Sequence, residues 1–554
     1  MELALALQRS LLKAEDFDGE NSFWQEGGAA LAMEHQENAM AQDQGAQVEL
    51  LQNHASALAL AAAPGAEGQV AATLGAAASL APHNPEVQLR YGAALQGTQN
   101  FELALEVMLD AVREMNKQDF ASFGRSVPKS PRPLGTTPTV AIYCYEYGQT
   151  WWPNWGPSSL ITGGLGGSEE AVVFISREMA RLGYHVEIYN EALPQEWGRD
   201  EYGVYWYPYQ SYDTSAPPDY FVGWRYHISM ALSSTAGGRF LWLQDKPPYE
   251  TYLPKFISDL SGIFALSDYH VRNFPQHAQP KGVVTPNGID PEFLEDGPNS
   301  PNVFVYGSAP DRGLEMLLLC WPQIREGLAI AAPGTKAKLE VYYGFSKSFL
   351  VHAANTIPDH KAWISRMETL LKQEGIVYRG MVDHSTLASA YASAGFILYP
   401  TIFPETGCVT LMKAQAMGAV PITSRFEGST LPELTQHWDL GPRPLLGHYA
   451  NDPEWQSLWV DRVIAAATRD IRERQGSKQK HRKDEVRPSF DDGEGESSKV
   501  PLPLAPGAAT VQQHREQMKD WARRRFLWEH VARQWHSSFQ LVLQKGETRA
   551  GGGG

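Results

Sequence analysis

The stretch "TGGLGGSEEAVVFISREMARLGYHVEIYN", Thr162–Asn190, decides the fold of this chain. It begins with a glycine-rich loop and continues as an amphipathic run of helical period, and Gly183 separates that run from an apolar, β-rich segment. The segment before it, "TPTVAIYCYEY", also has the composition of a buried strand. Strand, loop, helix and strand in this order form the βαβ unit of a parallel sheet, so the sequence predicts an α/β fold.

A second α/β series follows further along the chain. The segments "DYFVGWR", "GRFLWLQ" and "GIFALS" extend the first series, and the Pro-, Gly- and Asn-rich stretch Pro286–Asn302 predicts a domain boundary. The second series begins with "VFVYGSAPDRGLEMLLLCWPQI" and ends with "YPTIFPETGCVTLMKAQAMGAVPITS", Tyr399–Ser424. Two such domains would face each other across a cleft, with ligands beyond the carboxyl ends of the strands.

The amino-terminal region is rich in Ala, Leu, Gln and Glu, which favour helices. Within it, Asn84–Val112 places small residues at Gly92, Ala104 and Ala111, where two antiparallel helices could approach closely. This pattern resembles a tetratricopeptide repeat, but it covers barely two repeats, and about three are usually needed for a continuous core. A plain helical hairpin packed on the next domain is the alternative.

The remaining divisions follow from composition. The stretch Gly476–Thr510 changes from basic to acidic to Pro-rich and has few apolar residues, so it is predicted to be disordered. The predicted divisions are a helical region at 1–118, a linker at 119–137, α/β domains at 138–296 and 297–474, a disordered insert at 475–510, a C-terminal helix at 511–543 packing back, and a flexible tail at 544–554.

Charge and cysteine content exclude several classes of protein. The 554 residues carry a formal net charge of -16, which argues against a general nucleic-acid binder. Cys144, Cys320 and Cys408 are too few and too dispersed for a disulfide framework or a zinc site. Met1–Asp16 lacks the layout of a signal peptide, and no apolar run approaches the length of a membrane span. We therefore expect a cytoplasmic protein without a transmembrane segment.

Three motifs could contact a ligand, two of them an anion and the third a sugar. The glycine-rich loop lets backbone N–H groups approach an anion at a helix N-terminus, although a tight turn would have the same composition. Arg312 lies near a strand end at the start of a helix, where it could bind a diphosphate or form a surface ion pair with Asp311. Glu405 lies just before a helix, where it could accept bonds from sugar hydroxyls or cap the helix.

Seven motifs in order resemble the retaining glycosyltransferases of family 4. They are the glycine loop with its helix and strand, "LWLQDKP", "ALSDYHVRNF", "PNGID", "SAPDRGLEMLLLCWP", "YYGF" and Tyr399–Ser424. The resemblance implies a GT-B fold, in which two Rossmann-like domains enclose a UDP- or GDP-linked sugar and the last helix crosses back to the first domain. It also implies that neither a metal nor a cofactor is required.

The resemblance implies roles for specific residues. The donor-binding positions are Gly166, Gly167, Ser308, Arg312, Thr406, Gly407, Cys408 and Lys413, and the positions nearest the chemistry are Glu405, Gln244 and Asp245. The two glycines would approach the donor phosphates, Arg312 would bind the diphosphate, and Glu405 would contact the hydroxyls of the donor sugar.

Three of these positions depart from the family pattern. Lys413 stands where a Glu accepts bonds from the ribose, Gln244 replaces the His that precedes Asp245, and Ser308 stands where an Arg is common. Lysine has three donors and no acceptor, so we expect Lys413→Glu to strengthen nucleotide binding. The sequence thus leaves two hypotheses: a retaining glycosyltransferase with an unknown acceptor, or a catalytically impaired GT-B protein that binds or scaffolds. In both, the helical N-terminal region could bind a protein partner.

Overall fold

A computed structural model of the chain describes residues 44–60, 66–133, 137–147, 152–483 and 502–551. Met1–Asp16 and the centre of the predicted insert lie outside these residues. The helices are α1 Gln44–Leu60, α2 Ala66–Leu80, α3 Pro85–Gly97, α4 Phe101–Ser122, α5 Ser159–Thr162, α6 Gly167–Arg181, α7 Pro254–Ser258, α8 Asp268–Arg272, α9 Leu314–Ala331, α10 Lys347–Thr356, α11 His360–Leu370, α12 His384–Ser393, α13 Val409–Ala416, α14 Leu431–Thr435, α15 Pro453–Lys483, α16 Val511–Arg525 and α17 Trp528–Gly551.

Two separate sheets form the body of the chain. The strands are β1 Thr139–Tyr143, β2 His185–Asn190, β3 Gly198–Arg199, β4 Tyr205–Pro208, β5 Tyr220–Trp224, β6 Gly238–Trp242, β7 Gly262–Ala265, β8 Gly282–Val284, β9 Ser300–Tyr306, β10 Lys338–Tyr342, β11 Ile376–Gly380, β12 Ala394–Tyr399 and β13 Val420–Thr423. The first sheet has the order β3-β4-β2-β1-β5-β6-β7-β8 and the second has the order β11-β10-β9-β12-β13. Only the short pair β3 and β4 is antiparallel among the described strand pairs. Both sheets therefore have the doubly wound order of a Rossmann-like domain.

The α/β prediction is confirmed by strands that are almost continuously apolar. The central strands β1, β5 and β12 are buried along their whole length, as expected when helices cover both faces of a parallel sheet. The helix predicted from Thr162–Asn190 is α6, which lies between β1 and β2 and has Gly183 in the left-handed conformation near its end.

The N-terminal helices form two successive pairs that end against the first sheet. Gly92 allows the close approach of α3 and α4, because a Cβ at this position would lie 2.4 Å from the Cγ of Met108. Asn116 on α4 donates to the carbonyl of Tyr212 at 3.0 Å, which ties the helices to the first domain. The small residues therefore have the predicted packing role, and the likeness to a tetratricopeptide repeat stays a prediction.

Helices extend into both the predicted linker at 119–137 and the predicted disordered insert at 475–510. Helix α4 runs to Ser122, inside the predicted linker, and α15 runs to Lys483, inside the insert that was predicted to be disordered. At the other end of that insert Ala505 is buried, and His514 accepts from its backbone N–H at 2.9 Å. The described ends of the insert therefore contain a helix and buried contacts, while its residues 484–501 lie outside the described residues.

The C-terminal region contains two helices where one was predicted. Helix α16 packs on α13 of the second domain, and α17 packs on α6 of the first. Ile289 lies at the crossing, where its N–H donates to the carbonyl of Phe526 at 2.6 Å. Trp535 and Phe539 of α17 are buried against the first sheet, with Phe539 stacked on Tyr220 at 4.2 Å between ring centroids. Two facing Rossmann-like domains, a returning C-terminal helix and an α-helical extension make this a GT-B fold.

No helix among the described residues is both long enough and apolar enough to span a bilayer.

Candidate active site

Each domain has a crevice at the point where its strand order reverses. The crevices of the two domains face each other. In an open α/β sheet the chain leaves neighbouring strands in opposite directions at this point, which leaves room for a ligand beyond their carboxyl ends. The first crevice lies between β1 and β5, and the second lies between β9 and β12. Each crevice contains one arginine that is bound to carboxylates.

In the second crevice, the arginine is Arg312 and the carboxylate is Glu405. Nη1 of Arg312 donates to Oε1 of Glu405 at 2.8 Å, and the Tyr399 hydroxyl donates to the same oxygen at 2.5 Å. The guanidinium of Arg312 also lies 3.3 Å from the ring centroid of Phe403, a stacked cation–π contact. Ser308 is within hydrogen-bond distance of the Tyr399 hydroxyl, at 3.1 Å. The structure therefore brings Arg312, Glu405 and Ser308 together.

Gly313 makes the position of Arg312 possible. It has a φ of 90°, and a Cβ at this position would lie 2.6 Å from the carbonyl oxygen of Pro400. Only glycine allows this close approach of the start of α9 to the end of β12. The sequence "DRG" therefore brings Arg312 directly beside the loop that carries Glu405.

The loop before α13 connects the two domains. Oγ1 of Thr406 donates to the carbonyl of Gln244 at 2.7 Å, and the hydroxyl of Ser267 donates to the carbonyl of Thr406 at 2.8 Å. Gly407 lies against Leu266, which is 2.9 Å from where a Cβ of Gly407 would lie. Cys408 is buried, and burial raises the pKa of its thiol well above the ordinary value, so it is not a reactive thiolate.

The N-termini of α6 and α13 meet across the cleft. A Cβ on Gly167, the first residue of α6, would lie 3.3 Å from a methyl group of Val409, the first residue of α13. Gly166 is more tightly confined, because its Cβ would lie 2.2 Å from Oε2 of Glu169 and 2.3 Å from Nε1 of Trp152. Two helix N-termini, one from each domain, therefore converge beside the crevice of Arg312.

Lys413 contacts the first domain. Its Nζ donates to Oε2 of Glu170 at 2.7 Å, and Nε2 of His384 contacts the same oxygen. Burial raises the pKa of Glu170, but Lys413 and His384 outweigh burial, so the net shift is downward and the carboxylate is ionised. The lysine that departs from the family pattern is thus paired with a carboxylate of the glycine-loop motif.

In the first crevice, Arg225 is surrounded by three carboxylates. Its Nη2 donates to Oδ2 of Asp245 at 2.7 Å, and its Nη1 lies 3.1 Å from Oε1 of Glu146 and 3.4 Å from Oε1 of Glu169. Glu146 follows β1, Arg225 follows β5 and Asp245 follows β6, so three strand ends supply the cluster. Burial raises the pKa of Glu169, while Arg225 lowers the pKa of Asp245 against the effect of burial.

Gln244 and Asp245 point to different partners. The side chain of Gln244 is buried and forms two reciprocal amide contacts with Asn287, at 3.0 and 3.3 Å. Asp245 instead forms an ion pair with Arg225. Gln244 therefore acts as a link between strand ends in this structure, and only Asp245 of this pair belongs to a charged cluster.

Backbone strain marks the same strand ends. Arg225 has a φ of 61° and Tyr343, which follows β10, has a φ of 84°. Both are non-glycine residues in the left-handed region, which costs on the order of 1 to 3 kcal/mol each unless the surroundings fix them. Tyr343 also packs its ring edge-on against Trp152 of the facing domain, with 6.5 Å between ring centroids. Of the nine described non-glycine residues with positive φ, these two lie at strand ends beside the cleft.

Sequence reasoning singled out Arg312 and Glu405 of the second crevice and Asp245 of the first, but it missed five further residues around the cleft. The missed residues are Glu146, Glu169, Glu170, Arg225 and Tyr343. The available signal was position: Glu146 and Arg225 each stand at the carboxyl end of a predicted strand, and Glu169 and Glu170 open the helix after the glycine loop. Among the described residues, no group of three or more His, Cys, Asp or Glu side chains could hold a metal ion.

No protein-family model matches the chain, and no curated protein sequence matches it. Solved structures do. A glycosyltransferase from Rickettsia africae is 12% identical over 74% of this chain and 99% of its own, with a TM-score of 0.45. Anabaena HepE, solved with UDP and glucose, is 12% identical over 73% of this chain and 99% of its own, with a TM-score of 0.44. An O-GlcNAc transferase from Thermobaculum terrenum is 13% identical over 98% of this chain and 99% of its own, with a TM-score of 0.38. Identities this low do not transfer substrates or residue roles.

Proposed function

We propose that this chain is a glycosyltransferase that moves a sugar from a nucleotide-sugar donor to an acceptor with retention of the anomeric configuration. The observation that carries the proposal is the convergence of the N-termini of α6 and α13 beside Arg312. Each helix N-terminus presents backbone N–H groups and the positive end of a dipole, which favour an anion. An arginine next to two such ends suits a diphosphate, which accepts bidentate hydrogen bonds from a guanidinium.

In this proposal the ion pair of Arg312 and Glu405 is exchanged when the donor binds. The diphosphate would take the guanidinium, and the carboxylate of Glu405 would then accept hydrogen bonds from hydroxyls of the donor sugar. Because Glu405 keeps the Tyr399 hydroxyl as a donor, its carboxylate stays oriented after this exchange. Gly166, Gly167 and the backbone of Thr406, Gly407 and Cys408 would line the phosphate side.

Departure of the nucleoside diphosphate develops negative charge, which preorganised donors stabilise best in a site that excludes water. Arg312 and the two helix N-termini would provide this stabilisation. The proposal includes neither a metal nor a cofactor, and the substrate is a UDP- or GDP-linked sugar. Membership of family 4, and a partner-binding role of the α1–α4 region, belong to the same proposal.

A second candidate function is a binding or scaffold protein with an impaired site. The observation that favours it is that two cations of the second domain near the cleft are already paired, Arg312 with Glu405 and Lys413 with Glu170. A ligand would have to break at least one ion pair. This candidate predicts nucleotide binding without turnover.

Titration calorimetry with UDP, GDP, UDP-glucose and GDP-mannose tests the proposal, followed by an assay for slow donor hydrolysis without acceptor. We expect one nucleotide to bind and its sugar conjugate to be hydrolysed. Binding without hydrolysis or transfer would favour the scaffold function. If none of the four ligands bound, the glycosyltransferase proposal would be wrong.

A further inference from the structure

Glu170 is a buried carboxylate whose side-chain partners among the described residues, Lys413 and His384, come from the other domain. Its side chain is 2% exposed. Its Oε2 contacts Nζ of Lys413, which lies within α13, and Nε2 of His384, which begins α12. Both helices belong to the second domain. Its other oxygen, Oε1, is buried and has no hydrogen-bond partner among the described residues. A charge buried in this way is stable only while its partners are present.

The contact has a fixed geometry because two helices meet at the same end. Gly167 packs on Val409 at the first residues of α6 and α13, and Glu170 meets Lys413 one turn further along both helices. The order of contacts shows that the two helices point the same way here. Any movement that separates their N-termini therefore also separates Glu170 from Lys413.

If the two domains separated, the charge of Lys413 would be easier to solvate than the charge of Glu170. Lys413 has a long, flexible side chain that is already 12% exposed, and it could reach water. Glu170 is held by α6 and would need the cleft to fill with water before its charge was solvated again. The ion pair therefore favours the closed arrangement of the domains over the open one.

We propose that Glu170, Lys413 and His384 form an interdomain latch that holds the two Rossmann-like domains closed. Lys413 acts in this latch through Glu170 and is a positioning residue. The latch keeps the N-termini of α6 and α13 together, so it also sets the affinity for a nucleoside diphosphate; this second consequence rests on the proposed function. Closure itself does not depend on that function.

The test measures closure without any ligand. One spin label is placed in each domain through Glu201→Cys and Lys361→Cys, at exposed positions, and pulsed electron spin resonance gives the distance between them. Because Cys144, Cys320 and Cys408 are buried, they should not compete for the label. The variants are Lys413→Glu, Glu170→Lys and the double charge swap, with Lys413→Arg as the conservative variant. Lys372→Glu is the matched control, since it makes the same charge change at an exposed position of the second domain.

We expect Lys413→Glu and Glu170→Lys each to broaden the distance distribution and lengthen its mean. Lys413→Arg, Lys372→Glu and the double swap should keep the parent distribution. Circular dichroism identifies the variants that are folded, and only these are compared. If one single variant unfolds, the other single variant, the double swap and Lys413→Arg still test the latch. A parent distribution in folded Lys413→Glu, or a double swap no closer to the parent than either single variant, would overturn the latch.

UDP affinity separates the latch from the proposed function. In Lys413→Glu and Glu170→Lys, where the latch is open, we expect the affinity for UDP to fall by at most about tenfold. The double swap should recover most of that loss. If the parent protein does not bind UDP while the distances change as expected, the latch stands and the proposed ligand is wrong. If UDP binds and the distances do not respond to charge, the ligand stands and the latch is wrong.

Discussion

The crevices of the two domains have the same topology but different numbers of carboxylates around their arginine. In the first, a single arginine, Arg225, faces Glu146, Glu169 and Asp245. In the second, Arg312 faces two carboxylates, Glu405 at 2.8 Å and Asp311 at 3.9 Å, and the face of an aromatic ring. The crevice of the first domain therefore holds one more carboxylate around its arginine than the crevice of the second.

This difference indicates which crevice could receive phosphate. An anion entering the first crevice would meet three carboxylates around Arg225, whereas in the second it would have to displace Glu405, with the more distant Asp311 as the other carboxylate. A polar, uncharged group such as a hydroxyl suits the first crevice, because carboxylates accept its proton in a hydrogen bond. Under the proposed function, the donor phosphates would therefore bind in the second crevice and an acceptor hydroxyl in the first, and we expect substitutions of the two arginines to have different effects.

The largest expected effect is on stability, at Arg225. Arg225→Met would leave Glu146 and Glu169 buried without their cation, which costs about 3 to 5 kcal/mol when one partner of a buried pair is removed. Urea titration measures the free energy of unfolding. The control is Arg239→Met, since Arg239 pairs at 3.9 Å with the exposed Asp259, and we expect it to cost about 1 kcal/mol or less.

The pH dependence of the Arg225 variant has a definite sign. In the native protein, Arg225 lowers the pKa of Asp245, so this contribution is present above the ordinary pKa of a free Asp and is lost as the pH falls through the lowered value. In the variant, the carboxylates lose the cation and their pKa values rise, so the deficit should shrink as the pH falls from 7 towards 5. A deficit that is constant over this range would contradict the electrostatic explanation.

The second effect is on ligand affinity, at Arg312. Arg312→Ala should weaken UDP binding by roughly 10- to 100-fold, because one charge-assisted hydrogen bond contributes about 1.5 to 3 kcal/mol. Calorimetry measures it against Arg325→Ala, which removes an exposed arginine that pairs with Glu374 on the same domain. If Arg312→Ala left the affinity for UDP unchanged, the prediction that phosphate binds in the second crevice would be wrong.

The second crevice was largely predictable from the sequence, and the first was not. "DRG" and "FPETG" each combine a charged residue with a helix start, so their chemistry is local and can be recognised in one stretch. The cluster at Arg225 is assembled from Glu146, Glu169 and Asp245, which are up to 99 residues apart in the chain and meet only through the strand order.

Lys413 shows the same limit at one position. From the sequence, Lys413→Glu was expected to restore an acceptor and strengthen nucleotide binding. Because Glu170 lies 2.7 Å from Nζ of Lys413, a glutamate there would instead face a like charge. The partner belongs to the other domain, and no local pattern around residue 413 reveals it.

A third effect separates the two glycines at the start of α6. Gly166→Ala would place a methyl group on Glu169 and Trp152 and so disturb the first crevice, at a cost of about 1 to 3 kcal/mol. Gly167→Ala is the matched variant, since its methyl group would meet only the side chain of Val409 at 3.3 Å, and it should cost less. Thermal unfolding of both measures this, and equal costs would contradict the confinement of Gly166.

The smallest expected effect tests the inner structure of the second crevice, at Ser308. Ser308→Ala removes the contact with the Tyr399 hydroxyl, a neutral hydrogen bond that contributes about 0.5 to 1.5 kcal/mol. Tyr399 would still donate to Glu405, so UDP affinity should change little. Tyr399→Phe removes both contacts and leaves Glu405 with Arg312 as its remaining side-chain partner among those described, so it should lower UDP affinity more than Ser308→Ala does. An equal loss in the two variants would show that the orientation of Glu405 depends on Arg312 and not on the tyrosine.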